Sequence, residues 1–250
     1  LYLNTGAQYN SVSFSTMIGN ANYGLYTNAS DSNTVIRSYM SGGLNGANLD
    51  TDSDRNTISF STMIGAANYG FFVTASDTNT VTQSYMSGVY GAFLSANADY
   101  NTISLSTMIG STYGLYTTFA DSNSVSQSLS SGSARGVWLS PGSDGNLITL
   151  STMIGGSDHG LFISGSATNT ISRSYIIGAT EGLEVFNGSN FNTISLSTMI
   201  SNSVGNAGLF INAASSNTVL DSFVRGSTAV WINASNGTVI GGSVLIATNT

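Results

Sequence analysis

A decapeptide that keeps returning constrains this chain more than any other feature. Asn56-Thr57-Ile58-Ser59-Phe60-Ser61-Thr62-Met63-Ile64-Gly65 comes back from Asn101 to Gly110, from Asn146 to Gly155 and from Asn192 to Ile200, and it is present from Asn10 to Gly19. A variant that opens at Asn33, Asn79 and Asn169 alternates with it. The leading asparagines are Asn10, Asn33, Asn56, Asn79, Asn101, Asn123, Asn146, Asn169, Asn192, Asn217 and Asn236, nearly all 22 or 23 residues apart. Stacked supersecondary units generate self-similarity at such a period, and each unit buries its apolar face only against its neighbours.

A period in the low twenties suits leucine-rich repeats or parallel β-helices. The Leu-x-x-Leu-x-Leu frame of the former is missing. The units are rich in Thr, Val, Ile, Tyr and Phe, with Gly or Asn at the turns, which is strand and turn chemistry. No segment holds a helical apolar period. Asn-Thr-Ile-x-x-Ser-Thr-Met-Ile-Gly, preceded by Gly-Leu-Tyr or Gly-Leu-Phe, resembles the right-handed parallel β-helix repeat of pectate-lyase-like and periplasmic copper-site-maturation proteins. The expected fold is therefore an all-β, right-handed parallel β-helix of about eleven coils, one domain over residues 1–250. Neither end shows an atypical capping unit, so the chain reads as a section of a longer repeat array.

Stacking at ~4.8 Å turns every aligned position into a ladder. The leading Asn is expected to pass hydrogen bonds from amide to amide, and Ser15, Ser38, Ser61 and their counterparts form a second polar ladder. Val12, Val35 and Ile58, with Met17, Met40 and Met63, are expected to fill the bore.

Only 7% of residues are charged, and all five basic residues are Arg, for a net charge of −7. That excess of acid excludes nucleic acid as a partner, since little is present to neutralise phosphates. No apolar run approaches the ~20 residues of a membrane helix, so membrane insertion is not expected within this segment. Few charges and no Lys point to an extracellular or cell-surface setting, while the absence of Cys gives no redox evidence for the compartment.

Three columns have the regularity of a binding surface. Two residues after the Gly of the second long strand stand Tyr2, Tyr26, Asn48, Phe72, Phe93, Tyr116, Trp138, Phe162, Glu184, Phe210 and Trp231, nine of the eleven being aromatic. Asn48 and Glu184 place this column on the outside, because an unpaired Glu in a narrow bore is costly. Outward aromatics suit stacking on sugar rings, burial against a partner, or a self-stacked ladder.

Asp31, Asp54, Asp77, Asp99, Asp121 and Asp144, each two residues before a leading Asn, hold six of the twelve carboxylates. Either each closes an Asx-turn with the backbone two residues on, or the column collects a hard cation such as Ca²⁺; no other cofactor is indicated. Hydroxyl pairs such as Thr57/Ser59 and Thr102/Ser104 form an array of the kind ice-binding faces carry, interrupted by Ile36, Leu147 and Leu220.

No catalytic constellation stands out, so the expectation is a non-enzyme. The single His159 sits in Asp158-His159-Gly160 and reads as a turn residue, while Arg37 and Arg173 read as surface positions. The function expected from the sequence is a structural or adhesive β-solenoid stalk, associating with itself or holding a surface glycan or protein. A polysaccharide lyase or glycoside hydrolase, and more distantly an ice-binding solenoid, are the competing expectations.

Overall fold

Each repeat unit winds once around a common axis, and the turns of the chain stack in parallel. The computed structural model describes residues 1–248; its elements are thirty-one strands, with no helix among the described residues. The strands form one sheet of twenty and one of eleven, in which equivalent strands of neighbouring coils pair in parallel. This is the right-handed parallel β-helix the repeat predicts.

One coil describes them all. A short strand, Thr57–Ser59, runs to a corner at Phe60, whose φ of 50° is left-handed. The chain turns inward at Ser61, continues as Thr62–Gly65, bends, and runs on as Tyr69–Thr74 before returning to Asn79. In two coils the last two strands merge, as Tyr85–Ser95 and Thr107–Thr118.

The bore is dry. Ile58, Met63, Phe71 and Val73 of this coil are at most 1% exposed, and their equivalents above and below continue the same four columns. Burial of this order, at about 25 cal/mol per Å² of apolar surface, is the main favourable term in folding.

The polar ladders correct the expected pattern. The asparagines do not chiefly bond amide to amide. The Asn79 side-chain oxygen accepts the backbone N–H of Asn56 at 2.8 Å, and the Asn56 amide nitrogen donates to the Ser30 carbonyl at 3.0 Å. An amide-to-amide bond occurs at Asn10, whose Nδ2 donates to Asn33 Oδ1 at 3.0 Å. The serine column works the same way: Ser84 Oγ accepts from Ser61 N–H at 3.1 Å, while Ser61 Oγ donates to the Ser59 carbonyl at 2.8 Å. Corners in the left-handed region leave backbone groups out of the sheet, and these side chains supply the missing partners.

Candidate functional site

The aromatic column is in register along the whole solenoid. Tyr2 pairs with Tyr26, Tyr26 with Asn48, Asn48 with Phe72, and so on through Trp138, Phe162, Glu184, Phe210 and Trp231. All lie on the outer face, as Asn48 and Glu184 suggested, yet most are half-buried rather than free.

A second column, missed in the sequence, covers them. It consists of the residue just before each strand Gly: Tyr23, Asn45, Tyr69, Tyr90, Tyr113, Arg135, His159 and Glu181, with the small Ala207 ending the run. The signal was present as a recurring Tyr-Gly dipeptide. Rings stack within each column, with Tyr69 to Tyr90 at 5.2 Å and Phe93 to Tyr116 at 4.8 Å between centroids. Between columns the angle varies, from stacked at Tyr23 and Tyr26 to edge to face at Tyr90 and Phe93, 5.7 Å apart. Such pairs add about 0.5–1.5 kcal/mol each beyond burial. The ladder stiffens the face and presents ring edges and hydroxyls outward.

Half-way along, charge replaces the rings. The Arg135 guanidinium lies 4.5 Å from the Trp138 ring centroid and 4.2 Å from that of Phe162. Its Nε donates to Asp158 Oδ2 at 2.7 Å. His159 stacks on Phe162 at 4.9 Å, with Nδ1 2.7 Å from Asp158 Oδ1 and Nε2 2.8 Å from Glu184 and 3.2 Å from Glu181. His159 is therefore not a turn residue at the surface, as the sequence suggested, but the buried hub of a five-residue charged cluster.

Burial disfavours charge on His159, but Asp158, Glu181 and Glu184 outweigh it and raise the imidazole pKa to about 10. Burial likewise opposes the Asp158 carboxylate, and His159 with Arg135 nevertheless holds it down at about 2. Glu181, pushed up by burial and pulled down by His159, ends below the usual carboxylate range. Trp138 Nε1 is buried beside the cluster without a hydrogen-bond partner.

The aspartate column is also in place, and its bonding differs from an Asx-turn. Asp54 Oδ1 accepts the N–H of Asp77 at 2.7 Å, Asp77 that of Asp99 at 2.8 Å, and Asp99 that of Asp121 at 2.6 Å. Each carboxylate therefore caps the next coil rather than its own. Asp31 bonds the Asp54 N–H, Asp121 that of Asp144 and Asp144 that of Ala167, while Asn190 continues the ladder to Ser215. Burial first, then the charges of Asp121 and Asp77, raise the Asp99 pKa despite its hydrogen bond from Asp121. The hydroxyl pairs occupy the outer face of the eleven-stranded sheet, where Ser104 donates to Thr82 at 3.0 Å and Ser172 to Thr149 at 3.1 Å.

The family model described as periplasmic copper-binding protein (NosD) matches residues 2–123 and 86–249. No curated protein matches the sequence significantly. Among solved structures, the periplasmic alginate epimerase AlgG is 10% identical with a TM-score of 0.62, over 97% of this chain and 76% of that one. The DFA-IIIase of Arthrobacter chlorophenolicus A6 is 12% identical with a TM-score of 0.55, over 99% and 76%. Tailspike protein 3 of bacteriophage CBA120 is 12% identical with a TM-score of 0.55; the match covers 97% of this chain and 49% of the tailspike, about half its length. At these identities the likeness is one of fold. It corrects the expectation of a non-enzyme: an epimerase and a DFA-IIIase are built on this solenoid, so enzyme function is compatible with it.

Proposed function

The chain belongs to the NosD family of periplasmic copper-binding proteins, and from that premise we propose an extracytoplasmic β-solenoid scaffold that holds an extended, uncharged glycan along its outer aromatic face. The observation that carries this reading is the cluster of Arg135, Asp158, His159, Glu181 and Glu184 set into the aromatic ladder. Carboxylates and a guanidinium beside ring edges are the groups that orient sugar hydroxyls against apolar sugar faces. The family's periplasmic description supports a place outside the cytoplasm, and structural neighbours named as acting on alginate support a glycan-compatible fold. A neutral glycan is preferred over a uronate polymer because the chain carries a net charge of −7 and the cluster holds three carboxylates against two cations.

Copper, by contrast, does not fit the residues present. The one imidazole is held protonated between carboxylates, leaving no lone pair to donate. The seven thioethers, from Met17 to Met199, are all in the bore at 7% exposure or less, and the chain has no Cys. No group of three or more His, Cys, Asp or Glu among the described residues has the geometry to hold a metal ion.

Affinity electrophoresis through gels containing neutral or uronate polysaccharides tests the glycan reading, with a reducing-end assay on the same mixtures. Retardation by a neutral polymer is expected, weakened about tenfold or more by Trp138→Ala or Glu184→Gln, the equivalent of about 1.4 kcal/mol. Products released in the second assay would make the protein an enzyme at this face. Unretarded migration in every gel would end the proposal.

A further inference from the structure

A different surface, at the corner after each short strand, carries its own pattern. Four residues after the leading Asn stand Phe14, Phe60, Leu105, Leu150 and Leu196 in one set of coils, with Arg37, Gln83, Gln127 and Arg173 between them. Six residues after the Asn the order is reversed: Thr16, Thr62, Thr107, Thr152 and Thr198 alternate with Tyr39, Tyr85, Leu129 and Tyr175. Large apolar side chains therefore form a checkerboard, two columns wide, that runs nearly the length of the solenoid. Phe14, Phe60 and the three leucines, with Tyr39, Tyr85 and Tyr175, are each 40% to 75% exposed. Between Phe14 and Phe60 lies an open groove of about 380 Å³, lined also by Arg37, Tyr39 and Thr62. The Arg37 guanidinium there stands 5.5 Å and 5.4 Å from the two ring centroids.

We propose that this checkerboard is a self-association surface, on which a second copy of the chain lies side by side and parallel, related by a two-fold axis along the solenoid. Rotation about such an axis exchanges the two columns while keeping each coil at its own height. Every Phe or Leu of one copy then meets the Thr of the same coil in the other. Every Arg or Gln meets a Tyr or Leu: Arg37 faces Tyr39, Gln83 faces Tyr85, and Arg173 faces Tyr175. Knobs enter gaps, and guanidinium and amide groups lie against rings, a favourable pairing in itself.

Size agrees with this occupant. At the ~200 Å² that a large side chain can bury, the eight most exposed members present about 800 Å², which is what one partner gives to an interface of standard size. The strip carries few charges, so little repulsion opposes a second copy despite the acidic whole. Spacing agrees as well. The knobs recur every two coils, about 9.6 Å at the strand spacing, and only a partner with the same period engages all of them. The surface is separate from the glycan face proposed above, and neither reading depends on the other.

Sedimentation equilibrium on the 250-residue chain tests the pairing. The expected apparent mass is twice that of the chain at micromolar concentration. Leu105 and Leu150 have φ values of 51° and 52°, a region Asn tolerates better than Leu. A Leu105→Asn/Leu150→Asn variant should therefore keep its melting temperature and sediment at half the wild-type mass. A control, Tyr100→Asn/Phe191→Asn, removes two equally exposed aromatics at left-handed positions off the strip and should leave the mass doubled. A monomeric wild type, or a variant pair that behaves alike, would overturn the proposal. A monomer that binds a neutral polysaccharide and loses it on Leu105→Asn/Leu150→Asn would instead assign the strip to glycan.

Discussion

His159 shows how far one side chain can be from its sequence-level meaning. Nothing in Asp158-His159-Gly160 tells that Arg135 lies one coil before it and that Glu181 and Glu184 lie one coil after. Those partners are 24, 22 and 25 residues away, and they come together only when coils stack. What could be read was the column: a residue before Gly that is Tyr at 23, 69, 90 and 113 sits on the same face when it is Arg, His or Glu. The cluster makes a prediction about pH. The His159 pKa is raised from 6.5 to about 10, so its contribution is complete below 6.5 and is lost as pH climbs toward 10. Asp158 is depressed from 3.8 to about 2, so its contribution is complete above 3.8 and is lost as pH falls toward 2. Between those limits the cluster holds its full stabilising effect. The melting temperature should therefore fall between pH 6.5 and 10, and His159→Gln should flatten that slope. A wild-type melting temperature that stays level across the range would remove the charged His159 from the account.

At the level of the element, the repeated decapeptide told which residues point inward but not which atoms bond. Alternation fixes the face of each side chain, and the bore of Ile58, Met63 and Val73 follows directly from it. Bonding partners depend on corner geometry. Both the Asn and the Asp ladders run from side chain to backbone across coils, because left-handed corners such as Arg55 and Thr78 take the flanking Asp and Asn amides out of the backbone ladder.

The glycine that opens the second long strand is equally constrained. A Cβ on Gly70 would sit 2.6 Å from the Gly91 carbonyl oxygen and 2.9 Å from the Met86 carbonyl carbon, so the neighbouring backbone has to move. Gly70→Ala should cost about 3 kcal/mol or more, well above the usual single substitution, and chemical denaturation measures it; a loss under about 1 kcal/mol would refute the close-packed bend. For the aspartates, Asn keeps the acceptor and drops the charge. Replacing Asp77, Asp99 and Asp121 together by Asn should preserve or raise the melting temperature in chelator, since it relieves the burial of charge and then the repulsion that raise the Asp99 pKa. Calcium on this column predicts that Ca²⁺ raises the wild-type melting temperature and that the Asn variant loses that rise; no shift on adding Ca²⁺ or chelator removes calcium from the column.

The whole molecule combines two periods that do different work. The Asn and Ser ladders and the bore repeat every coil, so stacking is indifferent to which coil lies next. The checkerboard repeats every two coils, so it depends on the order. In a solenoid, stability is close to a sum of unit and nearest-neighbour terms, and an internal unit can therefore be removed without loss of fold. Deleting residues 56–78, one coil, joins Arg55 to Asn79 and stacks Asn79 on Asn33, as Asn56 did before. It also sets Arg37 beside Gln83 and breaks the alternation. Deleting residues 56–100, two coils, joins Arg55 to Asn101 and restores it, with Leu105 following Arg37. Both products should keep a cooperative melt and the far-ultraviolet spectrum of parallel strands. Small-angle scattering should show them shorter by about 4.8 Å and about 9.6 Å. Parallel pairing on the checkerboard predicts more. In each chain the two columns are cut at the same coil, so the two-fold axis still sets every Phe or Leu of one copy against a Thr of the other. Both deletions should therefore remain dimers. An antiparallel pairing reverses the coil order and falls out of phase beyond the single-coil cut, so it loses the dimer there and keeps it after the two-coil cut. Dissociation of the one-coil product alone would thus reject the parallel arrangement while leaving the strip as the contact, and dissociation of both would place the contact within residues 56–100.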